Sequence, residues 1–289
     1  MVRLMQLVVC GLFLIALSPN VAGRDDRVVV SDAEKDSHGV LVHIVKSSYQ
    51  SGSTDIRVLL PDRMEKARRY PVVYVLPVEA GRGDRYGDGL SEVQKHDLHN
   101  RHVAIFVAPS FSHLPWYADH PTRSEIRQES YFTRVVVPFV EKTYAASECS
   151  EDRLLLGFSK SGWGAWSLLL RHPQMFGRAV AWDAPLMMNE VGLYGNRDIL
   201  GTQTNFEAYK VADLLRTRSS LLRDKKRLVL TGYDNFRHHH QQAHTLLDEL
   251  KIPHDYRDGP ARKHDWHSGW VSEAVELLLG SPHKGISVP

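Results

Sequence analysis

The feature of this sequence that most limits its fold is a series of short, uninterrupted apolar runs at residues 72–76, 103–108, 154–156, 179–182 and 228–231. A strand with one face in water alternates apolar and polar residues, whereas a run apolar throughout is covered on both faces, as in a parallel sheet. Pro71 introduces the first of these runs, Val72-Val73-Tyr74-Val75-Leu76. Between the runs lie patterns of helical period at 132–144, 163–171, 206–215 and 243–250, and a last one at 271–279. Strands alternating with helices predict right-handed βαβ units, and so an α/β fold with a mostly parallel central sheet and helices on both faces. Ahead of them, residues 40–45 and 55–60 are β-rich, the second run alternating Ile56, Val58 and Leu60 on one face. They predict an N-terminal antiparallel hairpin.

A chain of 289 residues with no internal repeat and no Pro/Gly-rich linker fits one large domain, placed at residues 40–280. At the start, Arg3 precedes an apolar stretch at residues 4–17 and then the small residues Val21-Ala22-Gly23, which reads as an export signal over residues 1–23. The apolar stretch is shorter than the roughly 20 residues of a spanning helix, so the mature protein is expected to have no stable membrane insertion. Cys10 follows Val9 rather than a small residue, which argues against lipid attachment there. Once the signal is removed Cys149 stands alone, and no intrachain disulfide is expected even in an oxidising compartment outside the cytoplasm. Residues 24–39 read as a polar segment and 281–289 as a C-terminal tail.

Composition mainly excludes. With 43% apolar and 24% charged residues, the chain is neither collagenous, nor a coiled coil, nor largely disordered. A formal charge of +2 gives no reason to expect nucleic acid as a partner. Arg63, Lys66, Arg68 and Arg69 cluster, but as a solvated loop before a buried strand.

Three irregular stretches, 77–89, 109–128 and 185–205, each directly follow a predicted strand. They should emerge at the carboxyl edge of the sheet, where open α/β folds place ligands, and the third could form a substrate wall or lid. The strongest chemical signal lies at that edge. Leu154-Leu155-Leu156-Gly157-Phe158-Ser159-Lys160-Ser161-Gly162-Trp163-Gly164-Ala165 is a buried strand, a turn of small residues and a helix start. Small neighbours let the chain turn sharply and project the Ser159 hydroxyl, while the helix N-terminus favours a developing anion. Ser161 stands where the G-x-S-x-G pattern has its second glycine.

A nucleophilic serine needs a base, and the base needs an orienting acid. Asp234 follows the predicted strand at 228–231, and His264 follows a last strand predicted around 255–257, giving the order nucleophile, acid, histidine. Two rivals remain open on the residues alone: Asp183, in Ala181-Trp182-Asp183-Ala184-Pro185, also ends a strand, and His267 lies close to His264. His238, His239, His240 and His244 form a histidine cluster, and His240 with His244 has i, i+4 spacing. Without the H-E-x-x-H arrangement it reads as a solvated helix start, so no metal and no cofactor are expected.

These motifs together resemble the esterase family of α/β-hydrolases, which includes S-formylglutathione hydrolases, feruloyl and acetylxylan esterases, enterochelin esterases and mycolyltransferases. The resemblance covers roughly residues 40–280. Tyr70-Pro71-Val72-Val73-Tyr74-Val75-Leu76 is similar to the family strand before the oxyanion loop, and Trp116-Tyr117-Ala118-Asp119 to its W-Y-x-[DN] segment. Further matches are Pro138-Phe139-Val140-Glu141-Lys142-Thr143-Tyr144, His172-Pro173 with Phe176-Gly177, and His264-Asp265-Trp266 with Trp270.

The resemblance implies Ser159 as nucleophile, Asp234 as acid, His264 as base and the Lys160 backbone N–H as one oxyanion donor. Many relatives carry His-Gly after the third strand where this chain has Pro77-Val78-Glu79-Ala80-Gly81, so the second donor is expected at Val78 or Glu79. Glu79 would set a carboxylate beside the oxyanion. Trp116 and Tyr117 are implied to wall the substrate. The expected activity is cleavage of a carboxylic ester, small or polysaccharide-linked, by an exported enzyme. Acyl transfer or peptide cleavage by the same residues, or a non-catalytic binding protein on this scaffold, are the alternatives.

Overall fold

The computed structural model describes residues 28–280, so the expected export signal and the C-terminal tail lie outside the described residues. The strands are β1 (Val29–Val30), β2 (Glu34–Lys35), β3 (Leu41–Lys46), β4 (Ser53–Leu59), β5 (Val72–Val75), β6 (Ile105–Pro109), β7 (Arg153–Phe158), β8 (Arg178–Trp182), β9 (Leu228–Tyr233) and β10 (His254–Ala261). The helices are α1 (Gly89–Lys95), α2 (Leu98–Arg101), α3 (Gln128–Tyr131), α4 (Val137–Thr143), α5 (Ser159–Arg171), α6 (Arg197–Leu200), α7 (Gln203–Tyr209), α8 (Val211–Arg218), α9 (Arg237–Glu249) and α10 (Val271–Leu279).

One sheet runs in the order β1-β3-β4-β6-β5-β7-β8-β9-β10, with β2 also paired to β3. Its first strands, through β4 against β6, pair antiparallel, and β3 with β4 is the expected hairpin, Leu41 facing Val58. From β6 onward every pairing is parallel. The sheet begins before the boundary expected at residue 40, because Val29–Val30 and Glu34–Lys35 already pair with β3.

The apolar runs behave as their composition requires. On β5 every residue is buried, and alternate residues serve opposite faces. Tyr74 and Leu76 join Leu155, Ala181 and Leu230 beneath α4, α5, α8 and α9. Val73 and Val75 join Leu156, Val180 and Val229 beneath α1 and α10. The predicted helix at 206–215 is two helices, because Lys210 takes extended backbone (φ −62, ψ 116) between α7 and α8. The pattern at 132–144 begins with a π-helical turn, Phe132–Val136, before α4. Among the described residues no helix is long and apolar enough to cross a membrane.

The order β6-β5-β7 sets the site. After β5 the chain crosses to one side to form β6, then to the other to form β7. The loops leaving the carboxyl ends of β5 and β7 part there, which opens a crevice at the switch point of the sheet.

Candidate active site

The turn from β7 into α5 fills that crevice. Ser159 has φ +52, a left-handed conformation that a side-chain-bearing residue adopts only when its surroundings hold it there. The close packing explains the small residues around it. A Cβ on Gly157 would lie 2.3 Å from the Ser161 carbonyl oxygen, and one on Gly162 would lie 2.8 Å from Ala184 Cβ. Ser161, where the pattern expects glycine, is fully buried. Its hydroxyl accepts the Phe158 N–H at 3.0 Å and donates to the Phe158 carbonyl at 2.9 Å, so this serine ties the turn together.

Of the two strand-end aspartates, Asp183 carries the histidine. His264 Nδ1 lies 2.6 Å from Asp183 Oδ2. The Asp183 carboxylate also accepts the N–H groups of Asn235 at 3.0 Å and Phe236 at 2.7 Å. Asp183 is fully buried, and burial alone would raise its pKa. The His264 hydrogen bond and the backbone N–H groups of Asn235, Asp234 and Phe236 outweigh burial and hold the carboxyl below its ordinary range. An ionised carboxylate only accepts, so His264 Nδ1 carries the proton and Nε2 is left as an acceptor. The Asp183 carbonyl meanwhile accepts the Ser159 N–H at 3.2 Å.

The expectation that Asp234 orients the imidazole is therefore corrected. Asp234 Oδ2 accepts the backbone N–H of His264 at 2.9 Å, and so holds the histidine loop rather than the ring. His267 is no alternative base: it does not line the cavity that holds Ser159, and its Nδ1 lies 2.8 Å from Glu92 on α1. The His264 ring is surrounded by Tyr86, Phe158, Trp182 and Phe236, with centroid separations of 5.7, 5.0, 6.4 and 5.8 Å.

Ser159, Lys160 and His264 line one cavity of about 490 Å³, together with Tyr86, Trp116, Pro185, Tyr194, Asn235, Phe236 and His238. Among the described residues Ser159 and His264 share this cavity without a direct hydrogen bond, and catalytic contacts commonly tighten only when substrate is bound. Burial lowers the pKa of the Lys160 ammonium, which stands 5.7 Å from the Tyr86 ring centroid, with Glu79 opposing the shift and Arg85 adding to it. The Lys160 N–H lies in the first turn of α5, whose N–H groups have no acceptor within the helix.

Val78 and Glu79 follow β5 as expected, but neither lines this cavity. Val78 is buried in the core on the α1 and α10 side. The Glu79 carboxylate accepts the Tyr86 N–H at 3.4 Å, so it points along its own loop.

Trp116 does wall the cavity, edge-on to Trp163 at 5.5 Å. Tyr117 does not: it is wholly buried, packs on Gly164 so closely that a Cβ there would lie 2.1 Å from its ring, and donates from its hydroxyl to the Pro77 carbonyl at 2.6 Å. It braces the loop after β5 instead. Gln128, unmarked in the sequence, fixes both neighbours by accepting the N–H groups of Trp116 at 2.8 Å and Tyr117 at 2.9 Å.

The histidine cluster divides. His240 Nε2 accepts the Ala184 N–H at 2.9 Å and His239 Nδ1 the Met187 N–H at 3.0 Å. Burial pushes both down to about 4, so they are neutral acceptors that hold the loop beside Asp183. His240 and His244 therefore do not form a metal pair. The cavity residues not singled out in the sequence, Tyr86, Pro185 and Tyr194, come from two of the irregular stretches expected at the carboxyl edge. Asn235 and Phe236 come from the turn after β9, and His238 from the first turn of α9.

A parallel sheet with an antiparallel start, helices on both faces and a serine turn at its switch point is the α/β-hydrolase fold. The family model described as "Putative esterase" matches residues 47–251, and the chain belongs to that esterase family. It is a carboxylic ester hydrolase by that membership. Among solved structures the chain is similar to a ferulic acid esterase, at 21% identity and a TM-score of 0.64, over 88% of this chain and 96% of that one. It is also similar to an S-formylglutathione hydrolase from Agrobacterium tumefaciens, at 14% identity and 0.66, over 88% and 99%. A third is the fluorophosphonate-binding serine hydrolase FphF from Staphylococcus aureus, at 14% and 0.64, over 88% and 98%. The comparison with curated proteins gave no match.

Proposed function

We propose that this esterase works through an acyl-enzyme, with Ser159 as nucleophile, His264 as base and Asp183 as the acid that orients it. The observation that carries the reading is the 2.6 Å contact between the buried Asp183 carboxylate and His264 Nδ1, on a histidine that shares its cavity with Ser159. His264 Nε2 takes the Ser159 proton as the oxygen attacks the ester carbonyl. Asp183, held ionised, stabilises the imidazolium that results. The tetrahedral oxyanion is met by the Lys160 N–H in the first turn of α5. Nε2 then returns its proton to the leaving alcohol, and a water activated in the same way releases the acid.

The cavity favours a substrate with an aromatic or other flat portion, because Trp116, Tyr86, Tyr194 and Phe236 form its apolar walls. An aromatic acyl ester, free or linked to polysaccharide, fits that lining, and the leader-like residues 1–23 suit an enzyme that meets such esters outside the cytoplasm. The test is covalent labelling with a fluorophosphonate, followed by hydrolysis of feruloyl and acetyl esters. The wild type should be labelled on Ser159, and Ser159→Ala should lose both labelling and at least about 10⁴-fold in turnover. Labelling that persists in Ser159→Ala but disappears in Ser161→Ala would move the nucleophile.

A further inference from the structure

We propose that His244, Asp248 and His254 form a binding site for a divalent transition-metal ion, separate from the ester-cleaving site. His244 and Asp248 lie one turn apart on α9, and His254 is the first residue of the edge strand β10, opposite Leu228 at the start of β9. The cluster thus sits at the amino end of the parallel strands, whereas Ser159 and His264 lie at the carboxyl end. His244 Nδ1 is 2.7 Å from His254 Nε2, and Asp248 oxygens lie 3.5 Å from His244 Nε2 and 4.0 Å from His254 Nε2. One ligand atom from each residue falls within 4.8 Å of the other two.

Two further contacts set these groups as ligands. His254 Nδ1 lies 2.8 Å from the Ile252 carbonyl, which can only accept, so Nδ1 carries the proton and Nε2 presents a lone pair. A ring nitrogen hydrogen-bonded to a carbonyl while the other faces outward is the usual support of a metal-binding histidine. The His244 ring is stacked on Tyr256, with centroids 4.1 Å apart, and is held in place.

A ring nitrogen of His244, His254 Nε2 and an Asp248 oxygen thus lie close enough together to share one ion. Two imidazoles and one carboxylate suit zinc, copper or nickel rather than calcium or magnesium, and three protein ligands leave a tetrahedral position for water. Asp248 is exposed, so an ion can enter from solvent.

Such an ion would join the last turn of α9 to β10, while the first turn of the same helix holds the loop beside Asp183 through His239 and His240. Its effect is on stability, and the ester chemistry does not pass through it. The experiment is calorimetric titration of the chelator-stripped protein with zinc, alongside a thermal melt and ester turnover. The wild type should bind one equivalent at micromolar concentrations and melt higher with zinc. The double variant His244→Gln/His254→Gln should bind at least about 100-fold more weakly and lose the zinc-dependent rise, and Asp248→Asn about 10-fold. All should keep ester turnover. No stoichiometric binding by the wild type, or equal binding by the double variant, overturns the proposal. Cobalt added to the wild type gives a reading that needs no variant: visible d–d bands of a tetrahedral nitrogen-ligated site support it, and a spectrum of hydrated cobalt overturns it.

Discussion

Asp183 and Asp234 each follow a parallel strand, and each touches His264, but they hold different parts of it. Asp183 is fully buried and takes the ring, while Asp234 takes the backbone N–H of the same residue from a more open position. A carboxylate in an apolar interior must be fully partnered or it forfeits several kcal/mol, and Asp183 meets that demand with the imidazole and two backbone N–H groups. Asp234 faces no such demand. The pair teaches that burial, rather than position after a strand, separates a carboxylate that holds the imidazole from one that fixes a loop.

The largest way to break the comparison is to neutralise each acid in turn. Asp183→Asn should cut kcat by about 10⁴-fold, because the amide no longer favours the imidazolium and disturbs the tautomer that leaves Nε2 free. Steady-state kinetics check this, and a loss below tenfold would return the orienting role to another group. The same substitution should lower stability at neutral pH by roughly 1–3 kcal/mol, since one amide oxygen cannot serve the donors that two carboxylate oxygens now serve. The folded pKa of Asp183 lies below its ordinary value of 3.8, so its contribution is fully present above that value. It is lost as pH falls through the lowered folded pKa. Thermal melts across pH should show the gap between wild type and Asp183→Asn constant near neutrality and closing below 3.8.

A smaller effect is expected one residue further on. His240→Leu leaves the Ala184 N–H without its acceptor and should cost about 1–3 kcal/mol, with a few-fold loss in kcat as the Asp183 loop loosens. Denaturant melts with matched kinetics test whether stability falls more than activity. The smallest is Asp234→Ala, which frees one backbone N–H that water can reach. It should cost about 1 kcal/mol or less and under tenfold in kcat/KM. A thousandfold loss there would erase the distinction between the two acids.

Much of this was legible beforehand. The apolar runs placed the parallel strands, and the small residues around Ser159 marked the turn, because packing constrains both locally. His264 was legible through its motif. The aspartate that contacts the ring is not the one the spacing points to, because two strands end in aspartate and spacing to the histidine favours Asp234. The better signal lies in the neighbours: Asp183 sits among Ala179-Val180-Ala181-Trp182 and Ala184-Pro185, while Asp234 sits in Gly232-Tyr233-Asp234-Asn235. An acid embedded in an apolar run announces a partner. Tyr117 misled in the opposite sense, since its bond to the Pro77 carbonyl depends on a tertiary contact that no local pattern encodes. The pairing of His244 with His254 was hidden for the same reason, as it joins a helix to a strand across a turn.

The contact of Tyr117 with Gly164 reaches further than packing. The ring lies where a Cβ at position 164 would be, and its hydroxyl holds the carbonyl of Pro77 at the root of the loop that brings Tyr86 to the Ser159 cavity. Helix, ring and loop act as a lever with Tyr117 as its fulcrum, so a single methyl added at Gly164 would displace a main-chain segment on the far side of the ring. A larger residue at 164 is therefore accommodated only if residue 117 is made smaller, and the loop then needs another brace.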